Sequence, residues 1–307
     1  MRFKMTALSL PIALCALLAV VPFAGAQDPD QDDVRGAFLT SRPKSADKPA
    51  NTNTATSKPV RRRPKTATTK PPRNDGGTTA VSANNGATNS VKEAPESRQR
   101  LGLGLTLFMR DSNGLAVRVD PNHEFQKGDR VRVLLETNAD GHLYIFNTTD
   151  NGEPVMIYPD PTLDEAGNFI QAHVPFEIPS SLAGEDHLRW FAFDEKAGIE
   201  RLYFVFTREP MAGVPIEDEL TKYCGESKSQ CPWHPTAELW TSLQKEMESP
   251  SRTDNSHKVG KAQTSAEVQA TTRGIGLARE DAEPSMVIMR ASSGPGMLVT
   301  ALELLHK

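Results

Sequence analysis

Alternation governs the chain from residue 101 onward. Leu101, Leu103, Leu105 and Leu107 alternate with Gly102, Gly104, Thr106 and Phe108, the period of two expected of a half-buried strand. Asp111-Ser112-Asn113-Gly114 then turns the chain, because Asn-Gly supplies the positive φ that a hairpin needs, and residues 116–119 return as its partner. Residues 131–135 form a third strand. Asp140-Gly141 and Asn151-Gly152 punctuate two more, at 143–147 and 154–158. Residues 169–171, 174–178, 188–193 and 202–206 continue the pattern. Short strands separated by Gly, Asn, Asp and Pro, with no alternation of strand and helix, predict an antiparallel sandwich rather than a Rossmann fold or α/β barrel.

The period changes after residue 212. Ile216, Leu220 and Tyr223 fall on one side of a short helix, and Leu239, Trp240, Leu243 and Met247 on one side of a second. Residues 249–268 are polar and read as loose. Residues 286–290 and 297–305 are again strands, the last apolar on both faces. Both therefore join the sandwich, and the body is one interrupted domain. The fold class is all-β: an antiparallel immunoglobulin-like β-sandwich with two short helices inserted before the C-terminal strands, preceded by a disordered linker.

Upstream the pattern is of another kind. Arg2 and Lys4 precede an apolar run, residues 7–23, and Ala24-Gly25-Ala26 closes it with small residues. This is the plan of a secretory signal peptide cleaved after Ala26. Cys15 follows Leu14 rather than a small residue, which argues against lipid attachment. Residues 27–40 are a short N-terminal segment in which 33–39 form an apolar island, read as a short docking strand. Residues 41–100 lack any aromatic, Leu, Ile or Met, and cannot bury enough apolar surface to offset the entropy of ordering them. As a flexible coil the 60 residues would span roughly 45 Å.

Charge sharpens this division. Residues 41–100 hold 13 Lys/Arg against 4 Asp/Glu, and residues 101–307 hold 19 against 31. A basic linker is joined to an acidic body. Within the linker, Arg61, Arg62, Arg63 and Lys65 are candidate contacts for an anionic envelope polymer or lipid headgroup. An intramolecular contact with the acidic body is the alternative. With an export signal in front of it, the run is not read as a nucleic-acid patch.

Candidate chemistry is sparse. Cys224 and Cys231 enclose six residues in an exported chain, so a disulfide is expected, worth roughly 2.5 kcal/mol by loop entropy. A zinc site using His234 lacks a fourth ligand. No nucleophile elbow, HExxH helix or P-loop is present. Asp160, Asp164, Glu165 and Asn168 crowd one loop without calcium-loop spacing. Tyr144, Tyr158, Trp190 and Tyr203 are weighed as a sugar-binding platform, although strand aromatics more often form core or cross-strand pairs.

A family resemblance emerges from ordered motifs. Residues 125–133 read Phe-Gln-Lys-Gly-Asp-Arg-Val-Arg-Val, with Gly128-Asp129 before a strand. Asp140-Gly141 precedes an aromatic strand bearing Tyr144. Tyr158-Pro159-Asp160 forms a corner, and Ile178-Pro179 follows, before Glu200-Arg201-Leu202-Tyr203. This resembles the domain-of-unknown-function (DUF) family 4384 over about residues 120–208. The resemblance implies a compact β-sandwich of exported bacterial proteins, sometimes fused to peptidase or kinase modules, and no known catalysis. The motif residues read as fold-makers: Gly128 for a left-handed turn, Asp129 for a side-chain bond to its own backbone two residues on. The expectation is an exported, non-enzymatic binding or scaffold protein of the bacterial envelope, periplasmic or extracellular. It has no cofactor, no metal site and no membrane span after signal cleavage. Its partner is an envelope protein or anionic polymer. A hydrolase or glycan-processing enzyme lacking a recognisable motif is the alternative.

Overall fold

The computed structural model describes residues 33–45, 100–161, 167–226, 231–256, 258–291 and 296–307. The expected signal peptide, the basic run at 61–65 and most of the expected linker lie outside these residues. Residues 34–307 form one compact unit.

Thirteen strands are found among the described residues. The first sheet contains β1 (Gly102–Arg110), β2 (Ala116–Arg118), β4 (Arg130–Thr137), β8 (Phe176–Ile178), β9 (Phe191–Ala192), β11 (Ser251–Asn255) and β12 (Met286–Arg290). Its order is β11-β12-β1-β4-β8, with β2 beside β1 and β9 beside β4. The second contains β3 (Glu124–Phe125), β5 (Gly141–Thr149), β6 (Val155–Tyr158), β7 (Phe169–Ile170), β10 (Gly198–Thr207) and β13 (Met297–His306). Its order is β3-β13-β10-β5-β6, with β7 beside β5. Every pairing is antiparallel except the two-residue contact of β3 with β13, which is parallel. The two C-terminal strands enter opposite sheets, β12 beside β1 and β13 beside β10 from Met297↔Thr207 to His306↔Gly198. Both C-terminal strands thus belong to the sandwich.

Leu103, Leu105 and Leu107 of β1 face Leu202, Phe204 and Phe206 of β10 and Leu298, Leu302 and Leu304 of β13 across the inter-sheet core. Burial of this kind stabilises by roughly 25 cal/mol per Å² of apolar surface. Each sheet is also covered on its outside. The helices α2 (Glu217–Glu226) and α3 (Ala237–Met247) lay Leu220 and Leu243 on Tyr144, Phe146, Val205 and Val299 of the second sheet. Thr236 caps α3 by accepting from the Leu239 N–H.

Four expectations are corrected. Residues 33–39 are not a strand but the helix α1 (Val34–Thr40), which places Val34 and Phe38 against Val287 and Met289 on the outside of the first sheet. In consequence β1 is buried on both faces rather than half-buried. Its Gly102 and Gly104 leave the room that Phe38 fills; a Cβ at Gly104 would lie 3.2 Å from the Phe38 ring and 2.5 Å from Pro284. Residues 249–268 are not loose: they supply the edge strand β11 and the start of α4 (Ser265–Arg273). Helix α4 opens on a capping box between Thr264 and Glu267 and ends at Gly274 in the left-handed region. Finally, residues 188–193 divide into a 3₁₀ turn, Asp186–Arg189, and the two-residue β9.

Candidate functional site

The outer face of the first sheet carries the unexpected chemistry. Among the described residues, three arginine–glutamate pairs are buried there, each crossing between elements. Arg42, fully buried just beyond α1, holds Glu136 of β4 in a fork, Nε to Oε1 at 2.8 Å and Nη2 to Oε2 at 2.6 Å. Arg118 of β2 meets Glu267 of α4 at 2.5 Å. Arg132 of β4 approaches Glu177 of β8 at 3.5 Å. On a strand that presents every second residue to the core, these positions read as solvent-facing; the added helices and loops bury them.

The Arg42–Glu136 pair belongs to a longer chain of contacts. His173 Nδ1 lies 2.8 Å from Glu136 Oε1, and His173 Nε2 lies 3.0 Å from Ser41 Oγ. His173 is itself buried, in the left-handed region at φ 58°, and its ring meets the Phe38 ring edge-on. Burial pushes the Glu136 carboxyl up, but hydrogen bonds from His173 and Arg42 outweigh this and hold it below the ordinary carboxylate range. The remaining donors of Arg42 go to carbonyls: Nη1 to Ala278 at 3.1 Å and Nη2 to Ala282 at 3.1 Å. Arg279 returns a bond to the Arg42 carbonyl at 2.8 Å.

Serine, histidine and carboxylate in this connectivity resemble a nucleophile relay. The hydrogen count does not favour that use. Ser41 Oγ also lies 2.6 Å from the Phe38 carbonyl, which can only accept, so the hydroxyl proton bonds helix α1 rather than His173. The Glu136 charge is in turn matched by the guanidinium. The arrangement closes residues 34–45 onto the body.

At the other end of this face, Arg132 stacks on Trp190 with 4.3 Å between guanidinium carbon and ring centroid. Burial lowers its pKa despite the attraction of Glu177, and Arg189 adds repulsion. Farther out, Asp186 accepts from Arg110 at 2.7 Å and from Arg130 at 3.1 Å, and the Arg110 bond foremost holds its carboxyl low.

The residues singled out in the sequence are dispersed. Cys224 and Cys231 form a disulfide, Cα atoms 5.1 Å apart, at the end of α2. Gly128 has φ +89°. Asp129 accepts from the Gln126 N–H, three residues back rather than onward. Asp140 accepts from the Ala172 N–H. Gly141 serves close approach instead of a turn: a Cβ there would lie 2.3 Å from the Thr207 carbonyl. Tyr144 is buried under α2, its hydroxyl accepting from the Met211 N–H at 2.9 Å, and burial raises its pKa. Tyr158 donates to the Gly167 carbonyl from the inter-sheet core. The Tyr158–Pro159 peptide is cis, and Asp160 is half-buried beyond it. Tyr144, Tyr158, Trp190 and Tyr203 therefore make no common platform. Of the crowded loop, Asn168 is buried and bonded to His142 Nδ1 at 2.9 Å, while Asp164 and Glu165 lie outside the described residues. Among the described residues no group of His, Cys, Asp and Glu is placed to hold a metal, and no helix is long and apolar enough to cross a membrane.

With this geometry in view, comparison adds one finding. Residues 124–210 match the family model of the domain of unknown function DUF4384. The matched stretch runs from β3 to just past the end of β10. Glu136, His173 and Arg132 fall within it; α1, Arg42, α2 to α4, β12 and β13 do not. No curated protein and no solved structure matches the chain.

Proposed function

We propose that this chain is an exported, non-enzymatic binding or scaffold protein of the bacterial envelope, whose DUF4384 body carries its N-terminal segment docked on the first sheet and a basic connection as its contact for envelope protein or anionic polymer. One observation supports the non-enzymatic reading above others: the serine–histidine–carboxylate string Ser41–His173–Glu136 is closed by Arg42 and by the Phe38 carbonyl. The Cys224–Cys231 disulfide accords with an oxidising compartment, and the signal-peptide pattern with export. The test is crosslinking and pull-down from envelope fractions with full-length chain and with a deletion of residues 46–99. That deletion keeps Ser41 and Arg42 and their contacts with His173 and Glu136. Capture that is weakened by salt and lost in the deletion supports the reading; capture indifferent to both refutes the basic contact.

The hydrolase reading rests on the Ser41–His173–Glu136 string alone. Labelling of Ser41 by a fluorophosphonate, abolished in Ser41→Ala, would favour it. The expected result is no labelling.

A further inference from the structure

The edges of the two sheets are treated unequally. β2 is covered by residues 260–263: the Arg118 N–H donates to the Lys261 carbonyl at 2.8 Å, and the Gln263 N–H to the Ala116 carbonyl at 2.9 Å. On β6 the Met156 N–H donates to the Trp233 carbonyl at 2.8 Å. β3, β7 and β9 are two residues long, and β8 is three residues running into Pro179. β11 is the exception. The Ala291 N–H donates to the Pro250 carbonyl at 2.9 Å and the Ser256 N–H to the Ser285 carbonyl at 2.6 Å. These bonds set the phase of the β11–β12 ladder, so that Arg252 and Asp254 exchange bonds with Met289 and Val287. The N–H and C=O groups of Ser251, Thr253 and Asn255 therefore point away from the sheet, and all three residues are exposed. Among the described residues nothing pairs with them. An open edge of this kind is a template for another strand.

Charge says which strand fits. When two β11 edges pair antiparallel, outward residues must meet outward residues, and the registers of greatest overlap centre on Arg252, Thr253 or Asp254. Centring on Arg252 or on Asp254 sets like charges opposite each other, which is destabilising. Centring on Thr253 sets Arg252 opposite Asp254 of the other copy on both sides of the centre, with Ser251 opposite Asn255 and threonine opposite threonine. Such opposite-charge and Thr–Thr pairs favour cross-strand association. Asp254 has an oxygen to offer: Arg35 bonds only its Oδ1, from Nε at 3.2 Å and Nη2 at 3.1 Å, and Oδ2 has no partner among the described residues.

We propose that β11 is a dimerisation edge, pairing antiparallel with β11 of a second copy of this chain about a two-fold axis at Thr253. The first sheets of the two copies then run on as one, and because the contact is self-complementary it closes as a dimer rather than growing into a filament. Five residues make a small contact, so the association depends on concentration. This goes beyond the binder reading and stands without it.

Light scattering and sedimentation of the full chain across the micromolar range test this. The Thr253 N–H is not used inside its own sheet, so Thr253→Pro removes the outward donor and leaves the β11–β12 ladder intact. The expected result is a dimer that grows with concentration in the wild type and is lost in Thr253→Pro. A wild type that stays monomeric throughout overturns the proposal, and so does a dimer that Thr253→Pro retains. Should Thr253→Pro fail to fold, Thr253→Cys in a Cys15→Ser chain reads the same register, since Cys224 and Cys231 are already bonded to each other. Mild oxidation should link two copies through residue 253, whereas Thr241→Cys on the exposed side of α3 should stay unlinked. No crosslink at residue 253, or one no faster than at residue 241, overturns the proposal.

Discussion

Arg42 and Glu136, 94 positions apart, face each other through a two-point fork inside the protein. Removing the guanidinium leaves a buried carboxylate without its partner, a loss of about 3 kcal/mol. Arg42→Ala should therefore lower the urea midpoint of unfolding and raise amide exchange in residues 34–45. Replacing both partners by apolar residues, Arg42→Met with Glu136→Leu, should cost less than Arg42→Ala alone, because no orphaned charge remains.

The same pair makes stability depend on acid. The Glu136 carboxyl is held below its ordinary range in the folded chain, whereas unfolded glutamate titrates near about 4.3. A depressed folded pKa contributes stability that is present above the unfolded value and lost as pH falls through the folded one. Urea titrations should show the gap between wild type and Glu136→Gln widest near neutral pH. The gap should shrink steadily below about pH 4, by the unfolded reference value. A gap that grew on acidification would contradict the sign.

Two glycines separate space from backbone freedom. Gly141→Ala drives a methyl to 2.3 Å from the Thr207 carbonyl, an overpacking that costs about 3 kcal/mol. Gly128→Ala meets nothing within 4 Å and is penalised only for its φ of +89°, at about 1 kcal/mol. Thermal melts of the two variants should rank in that order.

Reduction of Cys224–Cys231 should add 2 Da, the mass of two hydrogens, and lower stability by about 2.5 kcal/mol by the loop-entropy relation. Amide exchange should rise first in α2, where the bond is anchored.

Deleting residues 284–307 should unfold the body, since it removes β12 from one sheet and β13 from between β3 and β10 in the other. A cooperative near-ultraviolet melt from the truncated chain would show the C-terminal strands to be dispensable.

These outcomes trace back unevenly to the sequence. The sandwich was legible because its signals are local. Leu103, Leu105 and Leu107 alternate on one strand, Asn113-Gly114 turns the chain, and the period shifts at Leu239, Trp240 and Leu243. The clamp was not legible. Arg42 stands beside Pro43 in a stretch whose composition reads as linker, and Glu136 occupies the polar phase of an alternating strand. Each is ordinary alone, and only tertiary contact joins them. One signal did point there: Gly102 and Gly104, two residues apart, bare the same face of β1, and glycines so spaced in a strand invite something to approach closely. Helix α4 was missed for a related reason. Glu267 makes both its cap and its buried bond to Arg118, and a helix with so little apolar surface shows a weak period.

The docking of α1 also redirects force. Ser45 bonds Glu280, and the Arg100 carbonyl accepts from Asn138, two residues beyond Glu136. A pull applied at Val34 thus reaches the sandwich first through the Phe38 and Arg42 contacts, across the face of the first sheet.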